Sequence, residues 1–318
     1  MSTSSIPLPH QTDDIFLSDG GLETTLIFHQ GLDLPCFAAF DLLKDAAGRQ
    51  TLKDYYRPYL ELAREQRVGF ILESPTWRAS ADWGEKLGYD ARQLSDLNRQ
   101  AIELMRELRD AYQTPQTPIL ISGNIGPRGD GYSPSAQMTP DEAAQYHQSQ
   151  IQALCAAGAD MISAMTMTNA DEATGIVNAA RAVSLPVAIS FTVETNGTLP
   201  TGQSLGDAIA QVDQATGSGP AYYMVNCAHP SHFEAVLAGG APWTRRIRGI
   251  RANASRQSHA ELDNSTELDA GNPVELGQSY QRLLRELPQL NVLGGCCGTD
   301  VRHLRAISKA CAEALETA

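Results

Sequence analysis

The sequence TPDEAAQYHQSQIQALCAAGADMISA, residues 139–164, contains one complete unit of helix followed by strand. Its first residues, Thr139-Pro140-Asp141-Glu142, predict a capping box with proline in the first helical turn. Gly158 predicts the end of that helix, because glycine readily adopts the left-handed conformation found at helix C-termini. The apolar run Asp160–Ala164 follows directly and predicts a buried strand.

Short apolar runs alternate with longer helix-like segments along the whole chain. The runs are apolar on both faces, which is typical of strands in a parallel sheet. Such alternation predicts right-handed crossovers, and eight units in one domain predict an α/β fold, a closed parallel eight-stranded (β/α)8 TIM barrel. An open doubly wound sheet is the alternative, but Asp19-Gly20-Gly21-Leu22-Glu23 lacks the third glycine of a dinucleotide-binding fingerprint. The predicted strands are Ile15–Ser18, Val68–Leu72, Pro118–Ser122, Asp160–Ala164, Pro186–Phe191, Ala221–Val225, Arg246–Ile250 and Asn291–Leu293.

Composition limits the classes of protein to consider. The chain has 318 residues, of which 42% are hydrophobic, enough for one large core. Residues 1–14 are polar and contain proline, so we expect a flexible tail there and a barrel domain over 15–318. We find no signal-peptide pattern and no apolar run of about 20 residues, so we expect a cytoplasmic protein without a membrane segment. A net charge of −13 disfavours nucleic-acid binding.

Two adjacent cysteines, Cys296 and Cys297, lie between glycines just after the eighth predicted strand. Neighbouring side chains of a strand point to opposite faces, but the flanking glycines allow a turn that aims both sulfurs at one point. A third cysteine, Cys227, ends the sixth run, and the ends of strands six and eight lie near each other on a barrel rim. Three thiolates around one centre suit Zn²⁺, with a fourth position for water or substrate.

The cysteines also allow other interpretations. A free cysteine is commonly a small buried hydrophobe, and this is our interpretation of Cys36, Cys155 and Cys311. A disulfide between Cys296 and Cys297 is a strained alternative to a metal site. The chain contains six cysteines and no secretory signal, which favours thiols or a metal over a disulfide framework.

The motifs together resemble those of the homocysteine S-methyltransferases, and the resemblance covers nearly the whole chain. Two further segments, residues 122–127 and 190–192, resemble the third- and fifth-strand motifs of that family. The motifs are Asp19-Gly20-Gly21, Ser122-Gly123-Asn124-Ile125-Gly126-Pro127, Ser190-Phe191-Thr192, Val225-Asn226-Cys227 and Gly294-Gly295-Cys296-Cys297-Gly298. The resemblance implies a zinc-dependent thiol methyltransferase of the betaine- or S-methylmethionine-using type. It also implies that Cys227, Cys296 and Cys297 are the zinc ligands and the catalytic centre.

The resemblance further implies transfer of a methyl group from a small onium donor to the zinc-bound thiolate of homocysteine, giving methionine. S-methylmethionine, S-adenosylmethionine and betaine-like compounds all remain open as donors, and so does the number of subunits. Gly20 and Gly21 are expected to offer backbone N–H groups to the acceptor's carboxylate, with Asp19 beside them and Asn226 nearby. An onium group binds to aromatic faces, and Trp77, near the second strand end, is the expected aromatic.

One position departs from the pattern that the resemblance implies. The family usually has a glutamate at the end of the fourth strand, which holds the ammonium of homocysteine, whereas this chain has Met165. A thioether cannot pair with an ammonium, so Glu73 or Glu194 is the expected replacement. A different thiol or a selenol is the alternative acceptor. A non-catalytic zinc-binding or redox-sensing barrel is a second alternative, although a storage site favours a closed coordination shell.

Overall fold

In the computed structural model, which describes residues 6–133 and 137–316, eight parallel strands form a closed barrel. Each strand pairs with the next in sequence, and Phe16 lies opposite Val292 where the last strand pairs with the first. The predicted fold class is therefore confirmed. The strands are β1 Phe16–Leu17, β2 Gly69–Glu73, β3 Ile119–Ile125, β4 Met161–Met167, β5 Val187–Phe191, β6 Tyr222–Asn226, β7 Ile247–Ala252 and β8 Val292–Gly295.

Six strands extend beyond their predicted C-terminal ends, and β3 and β4 extend furthest. β3 continues to Ile125 because its ladder with β4 continues through Asn124, which lies opposite Ser163. β4 continues to Met167 through a register shift, and Thr166 within it adopts a left-handed φ of 63°. This irregular segment includes Met165, so the departure from the family pattern lies inside the rim of the barrel.

Helices cover the outside of the barrel, and most begin where side chains can cap them. Thr139 forms the predicted capping box with Glu142, and Gly158 ends that helix with a φ of 96°. Asp45 caps the helix that follows it by accepting from the Gly48 N–H at 2.8 Å. The helices are α1 Leu22–Thr24, α2 Ala46–Gln66, α3 Ala81–Lys86, α4 Ala91–Tyr112, α5 Pro140–Ala157, α6 Ala170–Ala182, α7 Leu205–Thr216, α8 Pro230–Leu237, α9 His259–Asp263, α10 Pro273–Glu286 and α11 Val301–Glu316.

Short 3-10 turns and one π-helical turn connect the longer elements. The 3-10 turns are Pro9–Gln11, Pro35–Phe37, Ala39–Lys44 and Pro242–Arg246, and the π-helical turn is Thr25–His29. No helix in the described ranges is both long enough and apolar enough to cross a bilayer.

Apolar side chains fill the barrel interior below the rim. They form an inner cluster that is separate from the larger core between strands and helices. The inner cluster consists of Phe16, Ile71, Leu120, Met161, Met165, Ala188, Tyr222, Met224 and Val292. Because this layer is packed, the open space at the rim has an apolar floor, as expected of a (β/α)8 barrel.

Residues 6–14, part of the predicted flexible tail of residues 1–14, contact one end of the barrel. Ile6 and Leu8 pack against the inner cluster, and the Asn291 amide donates to the carbonyl oxygens of Pro9 at 2.7 Å and Thr12 at 3.0 Å. Apolar side chains in residues 6–14 thus cover one end of the barrel. Residues 1–5 lie outside the described residues.

Candidate metal centre and substrate cavity

The three predicted cysteines meet at the C-terminal rim of the barrel. Cys227 directly follows β6, while Cys296 and Cys297 directly follow β8. Their sulfur atoms all lie within 4.8 Å of one another. Cys227 and Cys296 form a disulfide in this structure, and the Cys297 sulfur lies 4.0 Å from that of Cys227.

The end of β7 holds these cysteines in place from between their two strands. The Cys227 N–H donates to the Arg251 carbonyl at 3.1 Å, and the Cys296 N–H donates to the Ala252 carbonyl at 2.8 Å. Cys227 adopts a left-handed φ of 54°, which is uncommon for a residue with a side chain. Such strain persists where the surrounding structure fixes it, and it is concentrated at functional sites.

The glycines around the cysteine pair act mainly through their small size. A Cβ on Gly295 would lie 2.0 Å from the Thr299 hydroxyl oxygen, and one on Gly294 would lie 2.1 Å from the Ser18 hydroxyl oxygen. Of the glycines in the Gly294–Gly298 motif, Gly298 alone requires positive φ, at 78°. The expected freedom of the backbone thus applies to the last glycine, whereas the first two permit close approach of neighbouring loops.

The sulfur arrangement fits a metal once the disulfide is reduced. With Zn–S bonds of about 2.3 Å, tetrahedral geometry places thiolate sulfurs about 3.8 Å apart, comparable to the 4.0 Å between Cys227 and Cys297. Burial raises the pKa of the Cys297 thiol to about 11, with Glu23 acting in the same direction. This group needs a nearby cation to be a thiolate at neutral pH, and a bound metal ion supplies that cation.

Two aromatic residues, Tyr132 and His259, lie beside the cysteines. His259 Nε2 lies 2.7 Å from the Cys227 carbonyl oxygen, and its ring stacks on Tyr132 with 4.0 Å between centroids. The Tyr132 hydroxyl lies 3.8 Å from the Cys297 sulfur. Glu194, one of the expected ammonium partners, instead lies 3.2 Å from His259 Nδ1. These contacts join loops distant in sequence, so no local pattern indicates them.

A cavity of about 380 Å³ opens above the strand ends and includes the cysteines. Five aromatic residues are among those that line it, namely Phe28, Phe37, Tyr56, Trp77 and Tyr132. The Trp77 Nε1–H donates to the Met165 carbonyl at 3.2 Å, and the Arg78 guanidinium lies 4.9 Å from the indole centroid. Trp77 therefore lines the cavity, with Arg78 covering part of one ring face.

The Asp19-Gly20-Gly21 segment makes more contacts within the protein than the sequence analysis predicted. The Gly21 N–H donates to the Thr299 carbonyl at 3.0 Å, so it is not free for a substrate carboxylate. The Gly20 N–H faces the Tyr59 hydroxyl. Added Cβ atoms on Gly20 and Gly21 would each lie 2.6 Å from a carbonyl oxygen, of Thr299 and Cys296 respectively. Both glycines permit close packing of the β8 loop.

Asp19 holds a buried arginine that the sequence analysis missed. Arg251 Nη2 donates to Asp19 Oδ1 at 2.6 Å, and the Tyr55 hydroxyl donates to Asp19 Oδ2 at 3.0 Å. Arg251 Nη1 lies 3.9 Å from Oε1 of Glu73. Burial raises the pKa of Glu73 to about 7, against the opposing effect of Arg251. Arg248 and Arg251 within the otherwise apolar β7 were the available signal, because arginine is rarely buried without a partner.

The family model for homocysteine S-methyltransferase matches residues 16–311. The chain belongs to the homocysteine S-methyltransferase family. This membership confirms the expected family and the expected enzyme class, a methyltransferase.

Curated relatives align with nearly the full length of this family member. Homocysteine S-methyltransferase 1 of Zea mays is 25% identical over 314 residues, which cover 92% of each chain. The selenocysteine Se-methyltransferase of Brassica oleracea var. italica is 26% identical and covers 94% of this chain and 89% of its own. The solved homocysteine methyltransferase MmuM of Escherichia coli has the same fold. Its oxidised form gives a TM-score of 0.76 at 20% identity over 95% of this chain and 97% of its own.

In this homocysteine S-methyltransferase family member, the Met165 side chain forms an apolar part of the cavity wall. Its side chain is 4% exposed, belongs to the inner cluster and also lines the cavity. Glu73 lines the same cavity from β2, whereas Glu194 is not among the lining residues. Of the two expected replacements for the family glutamate, Glu73 is therefore the one that the structure places at the cavity.

Asn226, expected to contact substrate, has its amide committed to the protein. Its Oδ1 accepts from the Thr166 N–H at 2.9 Å and the Ser190 hydroxyl at 2.6 Å. Its Nδ2 donates to the Thr166 hydroxyl at 2.8 Å and lies 4.0 Å from the Cys296 sulfur. These bonds tie the ends of β4, β5 and β6 together beneath the cysteines.

We predict that Asn226→Ala lowers the free energy of unfolding by about 1–3 kcal/mol, because it leaves the buried Thr166 N–H unpaired. Urea denaturation of reduced, metal-free protein measures this loss. Asn264→Ala is the matched control, since Asn264 is exposed, and we expect a change below about 0.5 kcal/mol. Unchanged stability together with weaker acceptor binding would show that Asn226 contacts substrate.

Proposed function

We propose that this enzyme transfers a methyl group from a small onium donor to the thiol of homocysteine, giving methionine, with zinc held by its three cysteines. The observation that carries the proposal is the convergence of the Cys227, Cys296 and Cys297 sulfurs within 4.8 Å at one side of a substrate-sized cavity. Three thiolates with a fourth position facing a cavity are typical of a catalytic zinc site.

The proposed reaction needs an activated sulfur and an electrophilic methyl group. Cys227, Cys296 and Cys297 would hold a zinc ion, whose positive charge would lower the pKa of the acceptor thiol so that the thiol's proton passes to solvent. The thiolate electron pair forms the new S–CH₃ bond, while the bond between the methyl carbon and the donor's onium atom breaks. The donor atom keeps that electron pair and becomes neutral, so no general base is required at the methyl group.

The charges around the cavity favour a cationic donor. Among the carboxylic and basic side chains in its lining most are carboxylic acids, and the two basic ones are Arg78 and Arg251. The acidic lining residues are Asp19, Glu23, Glu73, Asp130, Asp263, Glu267 and Asp269. Acidic walls attract an onium compound, and Tyr132 and Trp77 offer ring faces to its methylated centre. The protein's part in the step is to align sulfur, methyl carbon and leaving atom.

A selenol is the second candidate acceptor. The likeness to a selenocysteine Se-methyltransferase favours this alternative, and it covers nearly the whole chain. The cysteine centre accommodates either acceptor, because a selenolate is also a soft nucleophile. The choice between them depends on the head-group contacts and on measured turnover.

Product analysis tests the proposal. Reduced, zinc-loaded protein is incubated with homocysteine and, separately, with S-methylmethionine, S-adenosylmethionine and glycine betaine, each carrying a deuterated methyl group. We expect mass spectrometry to detect deuterated methionine with at least one donor. Reactions without protein measure the background, and parallel reactions with selenocysteine compare the two acceptors. Absence of methyl transfer to either acceptor from every donor would contradict the proposal.

A further inference from the structure

The lining of the cavity includes an arginine and a glutamate that lie near each other without forming a close pair. Arg251 comes from β7 and Glu73 from β2, and both line the cavity. Arg251 is 6% exposed and Glu73 is 3% exposed. The distance between Arg251 Nη1 and Glu73 Oε1 is 3.9 Å, beyond hydrogen-bonding distance.

The other nitrogens of Arg251 are fully engaged. Nε donates to the Gly295 carbonyl at 3.0 Å, and Nη2 donates to the Asp19 carboxylate at 2.6 Å. These contacts fix the plane of the guanidinium and anchor it to the strand that leads into Cys296. Among the described residues, Nη1 makes no hydrogen bond, so this nitrogen remains available for a ligand.

The Glu73 carboxylate is even less well paired. Its Oε2 is buried and has no hydrogen-bond partner among the described residues. Ser122 and Ser163 bond to each other at 2.8 Å and also lie beside the carboxylate, where they lower its pKa less than burial raises it. A buried carboxylate with one distant counter-charge is costly unless a further partner is supplied. The raised pKa of this group has the same cause, which is burial without sufficient compensation.

We infer that Arg251 and Glu73 together bind the zwitterionic head group of the acceptor amino acid, with Arg251 holding its carboxylate and Glu73 its ammonium. This inference rests on the proposed function and adds the residues that select the acceptor. Opposite charges about 4 Å apart match the neighbouring ammonium and carboxylate of an α-amino acid. Each charge of the ligand then gains a charge-assisted hydrogen bond that the protein alone does not make. Asp19 is a positioning residue that orients Arg251.

Three thiols that differ only in the head group test this assignment. Homocysteine carries both charges, 4-mercaptobutanoate lacks the ammonium, and 3-aminopropanethiol lacks the carboxylate. Isothermal titration calorimetry on reduced, zinc-loaded full-length protein measures binding of each thiol without any methyl donor. For wild-type protein we expect homocysteine to bind about 10- to 100-fold more tightly than either analogue, as expected for loss of one charged hydrogen bond.

The two variants are expected to give crossed patterns. Glu73→Gln weakens binding of homocysteine and 3-aminopropanethiol by about 10- to 100-fold and leaves 4-mercaptobutanoate unchanged. Arg251→Gln weakens binding of homocysteine and 4-mercaptobutanoate to a similar extent and leaves 3-aminopropanethiol unchanged. Arg246→Gln is the matched control, because Arg246 pairs with Asp213 at 2.9 Å and is not among the cavity-lining residues. That variant should bind all three thiols as wild type does.

The comparison among thiols within one variant separates recognition from folding. If Arg251→Gln unfolds, Arg251→Lys is the replacement variant. It keeps the positive charge but loses the planar guanidinium, and it should still weaken binding of the two carboxylate-bearing thiols. Equal loss for all three thiols in both variants would mean a structural role and would overturn the inference. The inference would equally be overturned if Arg78→Gln, at the outer Arg78–Asp130 pair, gave the carboxylate-selective loss instead.

Failure of the inference is distinguishable from failure of the proposed function. Wild-type protein that methylates homocysteine but binds the three thiols equally would refute the head-group site and leave the reaction intact. Wild-type protein that shows the crossed binding pattern but methylates no acceptor would refute the reaction and support the head-group site.

Discussion

Replacement of Cys296 by serine is expected to reduce zinc content from about one ion per chain to a small fraction of that value. Serine offers a hydroxyl of high pKa where the metal needs a soft thiolate, and two sulfurs alone cannot hold the ion in an open site. Methyl transfer should fall by more than about 100-fold. This exceeds the loss of about 10- to 100-fold that is typical when a residue that contacts only a metal ligand is removed. Elemental analysis of desalted, reduced protein and product mass spectrometry measure the two effects.

Cys155→Ser is the control for this substitution. The Cys155 sulfur lies 3.8 Å from the Val183 carbonyl oxygen, and Cys155 is not among the residues that line the cavity. The same change of sulfur to oxygen should therefore leave both zinc content and turnover close to wild type. A full complement of zinc in Cys296→Ser, after folding has been verified, would refute the assignment of this residue as a ligand.

The barrel and the meeting of the cysteines follow from sequence because each depends on simple regularities. Alternating strands and capped helices dictate a parallel sheet, and eight repeats close it. Once the sheet closes, residues that follow strands must lie on one rim. Cys227 and the Cys296-Cys297 pair therefore lie close to each other whatever their surroundings contain.

The acceptor contacts could not be predicted in the same way. Whether Asp19 faces a ligand or a neighbouring arginine depends on side-chain directions across three strands, which no local pattern records. The motif drew attention to the N–H of Gly21, yet the β8 loop already occupies it through Thr299. The effect of having Met165 in place of the family glutamate can be judged only together with Arg251 and Glu73. The charged groups that a ligand can contact come from several strands around the rim.

The second large effect concerns oxidation. Protein purified with the Cys227–Cys296 disulfide intact is expected to bind no zinc and to show no methyl transfer. The disulfide consumes two of the three thiolates, so Cys297 alone remains to coordinate metal. Treatment with tris(2-carboxyethyl)phosphine and water yields two thiols and the phosphine oxide, after which added zinc should restore binding and activity. The disulfide and the metal site thus exclude each other.

Thiol titration under denaturing conditions links the chemistry to the metal. The oxidised chain should give four free thiols, those of Cys36, Cys155, Cys297 and Cys311, and the reduced chain all six cysteines. Zinc content should rise in step with the two recovered thiols. Cys227→Ser is the control that cannot form this bond, and it should remain without zinc after reduction. Protein that has four free thiols and still holds a full equivalent of zinc would show that the ion binds elsewhere in the chain.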